Sequence, residues 1–168
     1  KQVKDYAAKK LETAVTVDLS KDVLTWYTRI KTDGDPDVHF DGFDLPKTKS
    51  GSIKDRKIAV NAKSYDKPLS SAISSLSESK LNALGLSINI ANNIKGDSTF
   101  GFLIIDDPVQ SMDDGHSVQV TGIIRTLIED EGKQVILLSH NSQWIKNVRK
   151  GCRSINGRYY DIVSYTQD

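Results

Sequence analysis

Residues 3–19 carry Val3, Tyr6, Ala7, Leu11, Ala14 and Val15 near helical spacing with lysines between them, which predicts a helix. A second helix is expected from Ser20, a suitable N-cap, through Val23, Leu24, Trp26, Tyr27 and Ile30. TDGDPD at 32–37 is a turn cluster. From Val38 to Ala62 the pattern changes to short strand-like pieces, VHF and IAV, separated by Gly42, Pro46 and Gly51. A short serine-rich loop at 70–77 precedes a long helix from about Glu78 to Ile94, with Leu81, Leu84, Ile88 and Ala91 on one face and Gly96 as a stop. A strand at 101–105, a helix over about 116–130 broken by Gly132, a strand at Val135–Leu138 and a helix over about 142–150 follow. Asn156-Gly157, set between alternating residues in SINGRYYDIVSY, predicts a two-residue hairpin.

The alternation of helix and strand predicts an α/β fold with mainly parallel central strands, flanking helices and a C-terminal β-hairpin. Residues 100–113, FGFLIIDDPVQSMD, concentrate its chemistry. The apolar run Phe100, Phe102, Leu103, Ile104 and Ile105 reads as a strand buried on both faces. It stops at two adjacent carboxylates, Asp106 and Asp107. Ligands of open α/β sheets bind at the carboxyl ends of such strands. One acid there can hold a divalent cation while its neighbour orients or deprotonates a water, which is the chemistry of nucleotide hydrolysis. The strand at 135–138 ends in Ser139, His140 and Asn141, so its histidine is expected at the same sheet edge. Read singly, paired aspartates can cap the next turn, a histidine can be a polar strand end, and Ser77 can be a plain N-cap.

The chain has 168 residues, enough for one domain with a real core. Hydrophobic residues make up 38% and charged residues 27%, the ordinary balance of a globular protein. No apolar run reaches the roughly 18 residues of a membrane span, and the charged start has no signal-peptide pattern. The lone Cys152 can form no internal disulfide, and the expected location is the cytoplasm. A net charge of +1 neither demands nor excludes nucleic acid. Between Lys47 and Lys67, however, lie Lys47, Lys49, Lys54, Arg56, Lys57, Lys63 and Lys67 against only Asp55 and Asp66. That surface is either a solvated face or a phosphate-backbone contact. Tyr65 alone interleaves it, so stacking of single-stranded bases is not indicated. His39 and His116 read as incidental. The chain opens on Lys1 rather than methionine, as an excised or processed piece would.

Four segments together resemble the heads of ABC-type ATPases in the SMC, RecF and RecN-like branch. LSESKLNALGLSINIA (Leu76 to Ala91) looks like the signature segment, LIIDDP (Leu103 to Pro108) like the Walker B strand, SMD (Ser111 to Asp113) like the D-loop, and VILLSHN (Val135 to Asn141) like the switch strand with its histidine. They occur in the family's order over about residues 70 to 145. The resemblance implies that Asp106 holds Mg²⁺, that Asp107 positions the attacking water, and that His140 senses the γ-phosphate of ATP. It implies that Ser77, Glu78 and Ser79, at a helix start suited to anions, meet a nucleotide held by the opposite subunit. Asp113 would contact that subunit. Asp107 stands where most relatives carry a longer glutamate. Ser79 replaces the signature glycine, and Lys80-Leu81 replaces the usual Glu-Lys.

No G-x-x-x-x-G-K-[ST] phosphate loop (Walker A) occurs in these residues. In this family that loop lies in the N-terminal half of the head, before a coiled coil. The expected organisation is thus a helical segment leaving a coiled coil at 1–31 and the C-terminal lobe of an ATPase head at 32–168. The implied partners are the N-terminal lobe, a second head as homodimer, DNA, and an associated nuclease or effector, with no membrane. The implied function is ATP hydrolysis at a head–head interface in DNA repair, chromosome handling or anti-phage defence. The alternative is a hydrolysis-poor, ATP-gated clamp or scaffold of the same fold. A phospho-acceptor receiver domain also ends a strand in paired aspartates, but near the start of five βα units, and too few residues follow here.

Overall fold

The computed structural model describes residues 2–31, 38–45, 47, 58–64, 67–68, 72–95 and 101–162. Helix α1 spans Gln2–Thr13 and runs without a break through a π-helical stretch at Ala14–Leu19 into α2, Ser20–Ile30. Ser20 is therefore no N-cap, because its own backbone is helical (φ −58°, ψ −44°). Its buried hydroxyl donates to the Val15 carbonyl at 3.2 Å and accepts the Phe43 amide at 2.7 Å. One bond satisfies a carbonyl of the widened helix and the other, from twenty-three residues away, ties that helix to the first sheet.

That sheet is antiparallel. It comprises β1 (Val38–Asp44), β2 (Ala59–Ser64) and the two-residue β3 (Lys67–Pro68), in that order. A bulge shifts the β1–β2 register between Phe40 and Gly42. Gly42 sits at φ +153° beside the Ser20 hydroxyl, a conformation that costs glycine little. The bulge aims both Phe40 and Phe43 inward, where Phe40 meets Tyr27 edge-on at 5.9 Å between ring centroids.

A short helix α3 (Ala72–Ser75) leads to α4 (Glu78–Lys95). The second sheet has two described strands, β4 (Phe102–Asp106) and β5 (Gln134–Leu138), parallel and in register from Phe102 opposite Gln134 to Asp106 opposite Leu138. Between them runs α5 (Asp114–Glu129), and after them α6 (Ser142–Gly151). One apolar core links the whole. Trp26, Tyr27 and Ile30 of α2 meet Ala83, Leu84, Ile90 and Ala91 of α4, and Leu103 and Ile105 of β4 join Val120, Ile123, Ile124 and Leu127 of α5.

Two further expectations need correction. β4 is buried on one face only. Leu103 and Ile105 point into the core, whereas Ile104 is 51% exposed, as are Ile136 (40%) and Leu138 (50%) on the same face of β5. An apolar run without polar alternation predicts two-sided burial, but only one face has a helical cover among the described residues. The expected hairpin around Asn156-Gly157 is also not formed among the described residues, since 152–162 contain no strand. There Arg149 of α6 pairs with Asp161 at 3.0 Å and lies over the Tyr159 ring at 4.8 Å, which draws the segment onto the helix instead of into a ladder.

No helix among the described residues is long and apolar enough to cross a membrane.

Candidate nucleotide site at the ends of the parallel strands

The parallel register decides where the chemistry sits. Because Asp106 lies opposite Leu138, the residues after each strand emerge side by side. The Asp107 amide donates to the Leu138 carbonyl at 2.8 Å, which extends the ladder by one bond. Asp107 then turns the chain with φ +46°, a left-handed value unusual for a residue with a side chain. This brings its carboxylate under the β5 end. Oδ1 accepts a hydrogen bond from the Ser139 hydroxyl at 2.8 Å, and Oδ2 pairs with His140 Nδ1. The Asp107 side chain is 18% exposed and the His140 ring 79% exposed, so the acid is held from within and the histidine lies outside it. The Asp106 carboxylate points to the open face, and no hydrogen bond or ion pair to it forms among the described residues.

The loop between β4 and α5 is tightly folded. Gln110 donates its amide to Asp107 O at 3.1 Å, and Met112 donates to Val109 O at 3.0 Å. Ser111 takes the second left-handed value, φ +61°. Two polar bridges tie this loop to the start of α4. The Ser111 hydroxyl donates to Glu78 Oε1 at 2.7 Å, and Asn82 Nδ2 donates to Gln110 O at 2.8 Å. Ser77 occupies the cap position of α4, its hydroxyl 3.4 Å from the Lys80 amide and its carbonyl accepting the Leu81 amide at 2.9 Å. The Ser79 hydroxyl is enclosed and has no hydrogen-bond partner among the described residues, so it does not project outward from the helix start.

Asp113 ends the loop as the N-cap of α5. One carboxylate oxygen accepts the His116 amide at 2.9 Å and the other pairs with His116 Nδ1 at 2.8 Å. These bonds, the backbone one foremost, hold the Asp113 carboxyl below the usual carboxylate range. His116 is buried and structural, not incidental. Asn141 caps α6 by accepting the Trp144 amide at 2.9 Å, and the Trp144 indole N–H donates to Ser117 O at 3.0 Å. Burial pushes the Cys152 thiol up, which suits a packing role.

Asp106, Asp107 and His140 are thus brought together, and Ser77, Glu78 and Asp113 lie on elements bridged to the same loop. The sequence assigns no role to Ser139, Ser111, Asn82 or Gln110, whose contacts hold the site together. The only available signal was their position within the quoted segments, because hydroxyl and amide contacts of this kind leave no periodicity. Among the described residues no group of three or more His, Cys, Asp or Glu side chains is arranged to hold a metal. A cation here would rest on Asp106 and on oxygens of a bound phosphate, a donor set that suits Mg²⁺, which keeps waters and takes one or two carboxylates. Of the basic residues between 47 and 67, Lys47 is paired with Glu12 at 2.6 Å and Lys63 with Asp41 at 2.9 Å, while Lys49, Lys54, Arg56 and Lys57 lie outside the described residues.

The AAA_13 family model, described as an AAA domain, matches residues 87–165, from within α4 past α6. No curated protein matches the sequence. Among solved structures, one comes from work on the structural biochemistry of ATP-driven dimerization and DNA-stimulated activation of SMC ATPases. It is 14% identical with a TM-score of 0.53, covering 77% of this chain and 71% of that one. A second is an Smc head bound to the C-winged helix domain of ScpA, 15% identical with a TM-score of 0.53, covering 77% of this chain and 36% of that one. A third is the Pyrococcus furiosus Smc head domain with an extended coiled coil, bound to the C-terminal domain of ScpA. It is 14% identical with a TM-score of 0.51, covering 77% of this chain and 29% of that one. The chain therefore spans about a third of the latter two. Fold likeness and model match together identify it as an α/β lobe with the fold of SMC-type ABC ATPase heads.

Proposed function

We propose that this lobe closes one side of an ATP-hydrolysing site. The observation that carries the reading is the convergence of Asp106, Asp107 and His140 where β4 and β5 end together. On this reading Asp106 holds Mg²⁺, Asp107 orients the attacking water, and His140 donates to an oxygen of the γ-phosphate. Mg²⁺, when bound, supplies positive charge that offsets the charge building on the transferring phosphoryl group. Ser77 and Glu78, with the backbone at the start of α4, and Asp113 face a nucleotide and a head across a dimer interface, whereas Ser79 would contribute through its backbone, its hydroxyl being enclosed.

The phosphate-cradling loop comes from a second, N-terminal lobe. The exposed apolar face of Ile104, Ile136 and Leu138 supports such a partner, since so much aliphatic surface beside a polar site is a docking face. The helix through α1 and α2 would leave the head as one strand of a coiled coil. DNA is the proposed substrate of the moving heads, contacted through the 47–67 segment, with repair, chromosome handling or anti-phage defence as the setting and a nuclease or effector as a further partner. Neutralising Lys54, Arg56 and Lys57 should flatten the salt dependence of DNA binding, and an unchanged slope would remove that segment from the interface.

One observation favours the slower clamp as a second reading. Both Asp107 oxygens already accept a contact from the protein, so an attacking water competes with Ser139 and His140 for the carboxylate.

Nucleotide binding tests the division of labour. Labelled ATP with Mg²⁺ should show no saturable binding to this chain alone and saturable binding once the lobe carrying the phosphate loop is added. Equal binding with and without that lobe would refute the split site.

A further inference from the structure

We propose that Ser139 is the positioning residue for Asp107, and that it divides the work of the carboxylate: Oδ1 is fixed to the end of β5, and Oδ2 is the oxygen that meets water. The proposal rests on the reading of Asp107 as the water-orienting acid.

The direction of the Ser139 hydroxyl is determined by its neighbours. A serine hydroxyl has one proton to give and lone pairs to receive. The Asn141 amide donates to Ser139 Oγ at 3.1 Å and takes one lone pair, while a carboxylate oxygen only accepts. The single proton is then committed to Asp107 Oδ1 at 2.8 Å. Asn141 is itself fixed, because its side chain caps α6 and its carbonyl accepts the Ile145 amide at 3.0 Å. The chain of bonds runs from a helix cap through an amide and a hydroxyl to the acid, and the Asp107 amide closes it on Leu138 O at 2.8 Å. Asp107 is thus held at both ends by β5 and the turn after it, which is how its left-handed backbone is kept in place.

The contact on Oδ2 differs in kind. His140 is 79% exposed on a surface turn and can exchange the carboxylate for another acceptor. When it turns to a phosphate oxygen, Oδ2 is freed while Oδ1 stays bonded to Ser139. The freed oxygen then has one orientation, set before the substrate arrives. Without the Ser139 hydroxyl the short aspartate side chain can rotate, and the freed oxygen loses its aim.

The test is kinetic and is made in the assembled head, this chain together with the lobe carrying the phosphate loop. Ser139→Ala should lower kcat roughly 10- to 100-fold, the usual loss when an orienting partner is removed, with KM for ATP unchanged. Ser139→Thr keeps the hydroxyl and should stay near the wild-type kcat. In the nucleotide-free head, the shifts in denaturation midpoint from Ser139→Ala and Asp107→Ala should be non-additive. Wild-type turnover in Ser139→Ala, an equal loss in Ser139→Thr, or additive midpoint shifts would each overturn the proposal. Asp107→Asn separates the two claims. If it abolishes turnover while Ser139→Ala does not, the positioning role alone fails; if it too leaves turnover unchanged, the catalytic reading of Asp107 falls first.

Discussion

Asp113 shows at the residue scale how one side chain can serve structure and surface together. Both its oxygens are held by a single residue, His116, through amide and ring, yet the carboxylate remains largely exposed at the end of the loop. Its folded pKa is depressed, so the stability it contributes is complete above the ordinary carboxylate value near 4 and fades as pH falls through the lower folded value. Asp113→Asn should therefore differ from wild type in denaturation midpoint at neutral pH and converge with it only once the pH falls below the depressed folded value. A gap that stays constant with pH would show that the charge adds nothing to the cap. Asp107 and Ser111, the two left-handed residues that bracket this loop, belong to the same scale. Each costs of order 1–3 kcal/mol, and each is held by a contact to a neighbouring element. The sequence displayed the two aspartates but not their geometry, because a positive φ outside glycine comes from the surroundings and not from the residue.

The elements that were legible are those that sequence punctuates. The apolar runs ending at Asp106 and Leu138 and the stop at Gly132 mark β4, α5 and β5 to within a residue or two, and the bounds of the helix at 78 follow from Ser77 and Gly96. What was not legible depends on partners distant in the chain. The π-helical stretch answers to Phe43, twenty-three residues beyond Ser20, and the lost hairpin answers to Arg149 reaching Asp161. Two element-level predictions follow from the bridges around the site. Trp144 ties α6, which carries the Ser139–Asn141 turn, to α5 through its indole N–H. Trp144→Phe should cost about 1–2 kcal/mol in denaturant unfolding with the fold retained, and a neutral result would show that this bond carries no net stability. Asn82→Ala removes one of two bridges between α4 and the β4–α5 loop. It should weaken ATP-dependent head association more than ATP binding to one head, as analytical ultracentrifugation and nucleotide titration would report. A loss confined to nucleotide binding would count against coupling through the bridge.

For the whole molecule, the uncovered sheet face is the feature that the pattern reading inverted. A run such as FLII reads as two-sided burial because its sequence has no polar alternation, and that is sound whenever both sides are eventually covered. The described residues cover one side only. Ile104→Lys with Ile136→Lys should leave the midpoint of the isolated chain nearly unchanged, since both sites are exposed, and should abolish co-elution with the N-terminal lobe. Retained co-elution would move that lobe to another face. The central claim concerns turnover, and one measurement addresses it directly: single-turnover release of γ-phosphate from ATP by the assembled head, wild type against Asp107→Asn. The account predicts that the variant binds ATP normally while release slows by about 10²–10⁴-fold, the usual worth of a positioned general base. Release at the wild-type rate from a head whose Asp107 has lost its charge would contradict it.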